Sequence, residues 1–343
     1  MIGKLSNVKR YRAFFVLIFA IMLLHNCASQ GASQKQSLVW PDNPYNPPRI
    51  ELIEILQPQD FKTHNIGSLL LEFVLGKSAE SELLQPFGVA VDSTGNVYVV
   101  SSGKGLVNVF DRQNNDIRTF GKKGDLIFPT DILLIDSLVY VSDGRRQQIV
   151  VFDKSGELVK RIGRPGDLMH PGGMAFQENS NRLYVTDSQS HRIAVFDLNS
   201  GLLDTTIGTR GSGDAQFNFP VNIATGNEKL YVVDAMNFRI QILSLEGDFI
   251  SAFGQAGDSA GDLYRPKGIG LTSDGFLFVT DSQYNNIQIF DESGNVYLSI
   301  GVPGSGAGEF SLPADLAVDN RDRIYVTDSK NSRVQVFQYI KYD

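Results

Sequence analysis

Short apolar runs of about five residues recur along the chain from Pro86 onward, and turns rich in Gly, Asn, Asp and Ser separate them. In each repeat an apolar run opens shortly after a proline, a second reads Tyr-Val-x-Asp or a close variant, a third resembles Val-x-Val-Phe-Asp, and a fourth ends near Ile-Gly or Phe-Gly. These runs are rich in Val, Ile, Tyr and Phe, which favours β-strands. The opening prolines are Pro86, Pro129, Pro171, Pro220, Pro266 and Pro313.

The spacing of these prolines predicts the architecture. Successive prolines are 43, 42, 49, 46 and 47 residues apart. A period of about 40 to 50 residues with four strands in each repeat is typical of propeller blades. We therefore predict an all-β fold, a six-bladed β-propeller of four-stranded antiparallel blades that start near residues 86, 129, 171, 220, 266 and 313.

The sixth repeat supplies only three strands before Asp343. An open sheet edge would leave backbone donors and acceptors unpaired, so an N-terminal strand is expected to close the ring. The favoured segment is 49–56, which is β-branched, follows two prolines and places Glu51 and Glu54 where an outer strand meets water. The alternative is the apolar segment 69–75, which is equally compatible with a short buried helix.

The N-terminus has a basic start, followed by twelve apolar residues at 13–24 and then by Cys27. This pattern is typical of a secretory signal and is too short to span a membrane comfortably. It resembles a bacterial lipoprotein signal: Leu24 fits the lipobox, whereas His25 and Asn26 are unusual there. The resemblance implies that residues 1–26 are removed and that Cys27 is lipidated. A plain secreted protein with an incidental cysteine is the alternative.

The same resemblance implies a location in the cell envelope. Ala28 replaces the Asp that often retains such proteins at the inner membrane, so the outer membrane is favoured. Residues 27–48 are expected to form a flexible and then Pro-rich tether, and residues 49–343 the propeller. Cys27 is the only cysteine of the chain, so no intramolecular disulfide can form.

The charge balance narrows the choice of partners. Removal of residues 1–26 leaves 27 basic against 38 acidic residues. Such an excess of acid argues against a phosphate-binding surface as the main activity, so no nucleic acid is expected as a partner.

Three stretches carry a family resemblance. They are Asp187-Ser-Gln-Ser-His-Arg-Ile193, Asp328-Ser-Lys-Asn-Ser-Arg-Val334 and the connector Gly211-Ser-Gly-Asp-Ala-Gln-Phe-Asn-Phe-Pro220. They resemble the NHL repeat, a family of six-bladed propellers, and the resemblance covers residues 86–339. Amidating lyases of that family depend on a histidine-bound metal, but His64, His170 and His191 do not share one repeat position here.

Polar residues alternate with glycine at the position two after each opening proline. The six residues are Gly88, Asp131, Gly173, Asn222, Gly268 and Asp315. Carboxylate and amide oxygens that converge on a propeller axis suit a hard cation such as Ca²⁺. Asp131, Asn222 and Asp315 are therefore the candidate metal ligands at the channel mouth, and residues that merely tolerate a turn are the alternative.

A second series ends the second strand of each repeat. Its members are Asp143, Asp187, Asp234, Asp281 and Asp328, with Ser101 in the first repeat. Arg192, Arg239 and Arg333 stand five residues after three of these acids. A charge-assisted bond between the acid and the guanidinium is expected to close the hairpin.

Basic residues cluster in the loops of repeats one to three, and acids in the matching loops of repeats four to six. The basic residues are Lys104, Lys122, Lys123, Arg145, Arg146 and Arg164; the acids are Asp214, Asp258, Asp262 and Glu309. A mouth with two oppositely charged sides would orient an acidic protein or an anionic polysaccharide. Scattered solubilising charge is the alternative.

Together these features favour a non-catalytic, monomeric lipoprotein of the cell envelope that serves as a binding scaffold for a protein or glycan. No Ser-His-Asp order, phosphate loop or haem-attachment motif is present, so no catalytic residue is assigned. The alternative is a metal-dependent hydrolase or lyase that uses the channel.

Overall fold

The computed structural model describes residues 38–42, 49–61, 83–121 and 124–341. Within them the six repeats form six antiparallel sheets, each with its first strand innermost and its neighbours in chain order outward. This is the predicted six-bladed β-propeller. The innermost strand of each blade begins at its opening proline, where the blades were predicted to start.

The first three blades have four strands each. The strands of blade 1 are Pro86–Val91, Val97–Ser101, Leu106–Asp111 and Asp116–Phe120; those of blade 2 are Pro129–Ile135, Leu138–Asp143, Gln148–Asp153 and Leu158–Ile162; those of blade 3 are Pro171–Gln177, Arg182–Asp187, Arg192–Asp197 and Leu202–Ile207.

Blades 4 and 5 follow the same plan, and blade 6 has three strands from the C-terminal repeat. The strands of blade 4 are Pro220–Gly226, Lys229–Asp234, Arg239–Ser244 and Phe249–Phe253; those of blade 5 are Pro266–Leu271, Leu277–Asp281, Asn286–Phe290 and Val296–Ile300; those of blade 6 are Pro313–Val318, Arg323–Asp328 and Arg333–Tyr339. The short strands Thr209–Arg210 and Gln216–Phe217 pair in parallel in the connector between blades 3 and 4. The 3-10 helices are Pro58–Asp60, Ser188–Ser190 and Ala235–Asn237.

An N-terminal strand closes the ring, as predicted. Ile50–Leu56 pairs antiparallel with Arg333–Tyr339, and the register runs from Ile50 opposite Tyr339 to Leu56 opposite Val334. Ile50 and Leu56 are fully buried. The alternative segment 69–75 lies outside the described residues.

The sheet continues one strand beyond the expected boundary at residue 49. Leu38–Trp40, in the segment expected to be a tether, pairs with Leu52–Ile50 as a fifth strand. The Trp40 ring packs edge-on against Phe337 at 5.8 Å between centroids. This apolar contact explains why a strand forms here.

The hydrophobic core is divided among the six interfaces between neighbouring blades. Each of six clusters of buried side chains takes its members from two adjacent blades, and blade 6 meets blade 1 in the same way. The Tyr of the second strand and the Phe of the third strand recur in these clusters, as at Tyr98 and Phe110 in blade 1 and at Tyr325 and Phe337 in blade 6. Full burial of such a side chain contributes roughly 1.5 to 3 kcal/mol.

None of the helices in the part of the chain that the structure describes has the length and hydrophobicity that a membrane crossing requires.

Candidate binding site at the channel mouth

The second-strand aspartates hold the loops that lead into the innermost strands. Asp143 accepts hydrogen bonds from the backbone N–H groups of Ile127 and Phe128 at 2.6 and 3.1 Å. Asp187 accepts from the matching positions of blade 3, the backbone N–H groups of Met169 and His170. The matching aspartates of blades 4 to 6 accept from the same loop position in their own blades. These loops therefore lie on one face of the ring, which we call the loop face.

The expected acid to arginine contacts are present in blades 3, 4 and 6. Asp234 pairs with Arg239 at 2.9 Å and Asp328 with Arg333 at 2.8 Å, whereas Arg192 lies 3.5 Å from Asp187. The arginines also donate to carbonyls of the long connector loops. Nothing in the sequence indicated this second role.

Buried glutamines hold the same connectors. Gln241 donates to the carbonyl of Gln216, and Gln335 donates to the carbonyl of Glu309. Their Oε1 atoms accept from connector N–H groups. The repeated Ile-Gln-Ile and Val-Gln-Val runs therefore stabilise the connector loops.

The alternating glycine and polar residues form a belt across the channel. A side chain at Gly88 would collide with Asp131 of the next blade, one at Gly173 with Asn222, and one at Gly268 with Asp315. Each glycine therefore leaves the space that its polar neighbour fills. The three candidate metal ligands do converge, and Asn222 donates to Asp315 at 2.7 Å. We call Asp131, Asn222 and Asp315 the polar belt.

The belt oxygens already accept hydrogen bonds. Asp315 accepts from the Val89 N–H at 3.2 Å, and Asp131 accepts from the Met174 N–H at 2.7 Å, so each carboxyl group bonds the following blade. Binding of Ca²⁺ would require the belt to share these oxygens between the cation and the backbone donors. The described residues contain no group of three or more His, Cys, Asp and Glu placed to hold a metal ion. The calcium site, which includes an amide ligand, stays a prediction.

Burial makes the two belt aspartates weaker acids than aspartates exposed to water. Burial raises the pKa of Asp131 well above its usual range, and the charge of Asp315 raises it further. Burial also raises the pKa of Asp315 to about 7, against the hydrogen bonds that favour its ionised form. The two carboxyl groups share a hydrogen bond. The pair therefore retains a proton at neutral pH.

The belt separates two cavities, because its three residues line both. The lower cavity has a volume of about 390 Å³ and is otherwise lined by later residues of the innermost strands, such as Ala90 and Leu133. The upper cavity, of about 110 Å³, opens towards the loop face. Its walls include the residue after each opening proline: Phe87, Thr130, Gly172, Val221, Lys267 and Ala314.

The predicted basic residues are only partly free to bind a partner. Arg145 is exposed, and its guanidinium lies 5.6 Å from the centroid of the Phe128 ring. Arg146 lies 4.0 Å from Asp143 and is half-buried. Arg164 is exposed and Lys104 is half-buried. Lys122 and Lys123 lie outside the described residues, as does Cys27.

Two of the predicted acids support their own connectors. Asp262 is buried and accepts from the Ser259 N–H at 3.0 Å. Glu309 accepts from the Gly306 N–H at 2.8 Å. Asp214 and Asp258 are exposed. The mouth with two charged sides stays a prediction, and within the described chain it has fewer free acids than the sequence suggested.

The loop face presents an apolar rim that the sequence interpretation missed. In all six blades a large apolar residue one or two positions before the opening proline is 40 to 52% exposed. These residues, which we call the rim, are Leu84, Ile127, Met169, Phe219, Tyr264 and Leu312. The signal was visible as an apolar residue inside each polar turn.

The belt predicts a pH dependence that one substitution should flatten. The folded chain keeps belt protons that the unfolded chain releases near pH 4, so protonation of the belt favours the folded state. This contribution to stability is lost as the pH rises through about 7, the pKa of Asp315. We expect the melting temperature of the wild type to fall between pH 5 and pH 8. Asp131→Asn keeps the size of the side chain, and its amide donates to Asp315 but does not titrate. The fall in melting temperature with rising pH should therefore be less steep in this variant.

Asp153→Asn is the matched control for this experiment. Asp153 ends the third strand of blade 2, where hydrogen bonds from Ser155 and Glu157 lower its pKa. The stability that ionised Asp153 contributes is lost only as the pH falls to its lowered pKa, below the window from pH 5 to pH 8. Equal slopes for the wild type and Asp131→Asn would contradict the shared belt proton.

The closed ring with its loop face and channel defines a β-propeller protein of six blades. A family model described as 6-bladed beta-propeller (DUF5128) matches residues 175–261 and 265–343, which run from blade 3 through blade 6. No curated protein matches the chain.

Solved structures are similar to this chain in fold. A structural genomics protein of unknown function from Bacteroides thetaiotaomicron has a TM-score of 0.62 and 15% sequence identity, over 84% of this chain and 75% of that chain. An auxiliary nutrient binding protein from the same organism has a TM-score of 0.60 and 13% identity, over 76% and 70%. Virginiamycin B lyase from Staphylococcus aureus has a TM-score of 0.56 and 15% identity, over 75% and 95%. At these identities the likeness shows the fold alone.

Proposed function

We propose that this protein is a non-catalytic binding scaffold that holds a partner protein against the rim of its loop face. The observation that carries this proposal is the exposure of one large apolar side chain per blade around the channel mouth. A repeated apolar surface of this kind has no role in the blade cores, which lie between the sheets. Exposed apolar surface bordered by polar residues marks interaction sites in soluble proteins.

The backbone at the rim supports the same interpretation. Phe219 and Leu312 have φ angles of 55° each, in the left-handed region that bulky residues rarely adopt. Exposure and an unfavourable backbone both cost stability, and a binding role accounts for why these residues are large and apolar.

Aromatic side chains enlarge the surface beside the rim. The Tyr264 ring lies 5.9 Å from Phe238 and 6.3 Å from Tyr284, between ring centroids. The His191 ring packs edge-on against Phe219 at 4.7 Å. Aromatic residues are enriched in protein interfaces, where they supply large contact areas. The chemistry of the loop face therefore favours a protein over a glycan as partner.

The repeats are proposed to be of NHL type, on the residues quoted above, and the scaffold is proposed to act at the cell envelope. What supports the second statement is the basic start and the apolar run before Cys27. The lipid on Cys27 would hold the propeller at a membrane surface, with the outer membrane favoured. In a native host, Cys27→Ser should move the protein from the membrane fraction to the soluble fraction.

The rim can be tested against a matched surface of the same molecule. We expect the combined change of Ile127, Met169, Tyr264 and Leu312 to Ser to reduce partner recovered from the native envelope by about 10-fold or more, because buried apolar anchors carry most interface energy. The control changes Leu158, Leu202, Ile250 and Tyr297 to Ser. These four are similarly exposed but lie on outer strands. Quantitative mass spectrometry of crosslinked material gives the recovery.

Two outcomes would overturn this assignment. One is equal loss of the partner in the rim and control variants, with unchanged melting temperatures. The other is full recovery with the rim variant and loss only when Arg145 and Arg164 are both changed to Glu, which would assign the surface to an anionic polysaccharide.

A further inference from the structure

Lys267 is a cation without a partner in the wall of the upper cavity. It follows the opening proline of blade 5 and lines the cavity together with Phe87, Val221 and Ala314. It makes no ion pair or hydrogen bond with any residue in the described ranges. Burial lowers the pKa of its ammonium, and the neighbouring cation of Arg265 lowers it further. A partly desolvated cation in this position is costly unless an anion accompanies it.

The acids nearest to the cavity do not meet this need. Asp131 and Asp315 line its floor, but their carboxyl groups bond each other and backbone N–H groups. Arg265, of like sign, lowers the pKa of Lys267. Lys267 forms no ion pair with either belt acid or with any other described residue, so its charge remains available to an anion.

The other walls carry further polar side chains, and two of these are already bonded. The His170 Nδ1 atom faces the Ser188 hydroxyl at 3.3 Å. The Thr130 hydroxyl donates to the Pro171 carbonyl at 2.8 Å. A bound molecule would thus find the Lys267 cation beside the apolar surface of Phe87, Val221 and Ala314.

The volume limits what can enter. The upper cavity is the smaller of the two, at about 110 Å³ against about 390 Å³. A carboxylate with a short apolar group suits a cavity of this size. The open side faces the loop face, so a longer molecule can extend outward from it.

We propose that the upper cavity is a binding site for a carboxylate that carries a short apolar group, with the Lys267 ammonium as its anchor. The carboxylate comes from a free small acid or from an acidic side chain of a polypeptide. The rim residues do not line this cavity, so the test of the carboxylate site is independent of the test of the partner-binding surface.

Titration of the full chain with two matched pairs of probes, followed by NMR, tests the site. The pairs are propionate with propionamide, and acetyl-Ala-Glu-Ala-amide with acetyl-Ala-Gln-Ala-amide. We expect an acid of at least one pair to bind and its neutral twin not to bind. Tighter binding of propionate indicates a free acid, and tighter binding of the Glu peptide indicates a polypeptide side chain.

Lys267→Met removes the charge and keeps the length of the side chain, and we expect it to weaken acid binding by about 10-fold or more. Lys267→Arg should retain binding. Lys160→Met, on the exposed outer strand of blade 2, is the control that should change nothing. Equal binding of acid and amide by the wild type, no binding of either acid, or full binding by Lys267→Met would each overturn the proposal. The comparison of acid with amide needs no variant, so it remains decisive if a variant folds poorly.

Discussion

A chain shortened to begin at Pro58 is expected not to form a stable monomer, whereas a chain that begins at Leu38 should melt at the wild-type temperature. The shorter chain lacks Ile50–Leu56, the outer partner of Arg333–Tyr339. Burial of Ile50 and Leu56 alone contributes roughly 3 to 6 kcal/mol, which is comparable to the whole stability of many domains. The truncation also exposes an unpaired strand edge that can pair with other chains.

Size-exclusion chromatography with light scattering, combined with thermal unfolding, measures both effects. A chain that begins at Arg49 is the intermediate case, because it keeps the closing strand and loses Leu38–Trp40. Its melting temperature should fall only slightly, mainly because the contact between Trp40 and Phe337 is lost. A monomeric Pro58 chain with the wild-type melting temperature would show that the ring does not depend on the N-terminal strand.

Arg333→Met is expected to lower the free energy of unfolding by about 3 to 5 kcal/mol, because it leaves a buried carboxylate without its partner. Arg333 is 4% exposed, and Asp328 is fully buried. The guanidinium also donates to the carbonyls of Ser305, Gly306 and Glu309. The substitution therefore removes a charge pair and the anchor of a connector together.

Arg192→Met is the matched control in blade 3. Arg192 has a 25% exposed side chain, and it lies 3.5 Å from Asp187. It donates to the single carbonyl of Asp167. Water can replace part of these interactions, so the free energy of unfolding, measured in urea, should fall clearly less in Arg192→Met than in Arg333→Met. Equal losses for the two variants would mean that burial of the pair does not set its contribution.

The repeat pattern made most of the fold predictable. Blades 1 to 5 each contain their own strands within about 45 residues, and the buried Tyr and Phe recur at fixed positions in the repeat. The closing strand was also predictable, because three strands in the last repeat left one place to fill. The extra strand Leu38–Trp40 was not, since its stabilising contact joins Trp40 to Phe337, nearly 300 residues away in the chain.

The site was predictable only where it follows the repeat. Asp131, Asn222 and Asp315 share one repeat position, so their convergence followed from the architecture. Their hydrogen bonds to the backbone of the next blade depend on the distance between neighbouring blades. The spacing of the repeats along the sequence does not determine this distance. Lys267 gave no signal, because a lysine beside a turn is ordinary until the surrounding blades remove water from it.

The polar belt has a consequence for transport. Asp131, Asn222 and Asp315 line both cavities, and Asn222 is hydrogen-bonded to Asp315, so the belt lies between the two cavities in the described part of the propeller. To pass from one cavity to the other, a solute would have to break the belt hydrogen bonds. Solutes in the two cavities would therefore exchange with the solvent independently of each other.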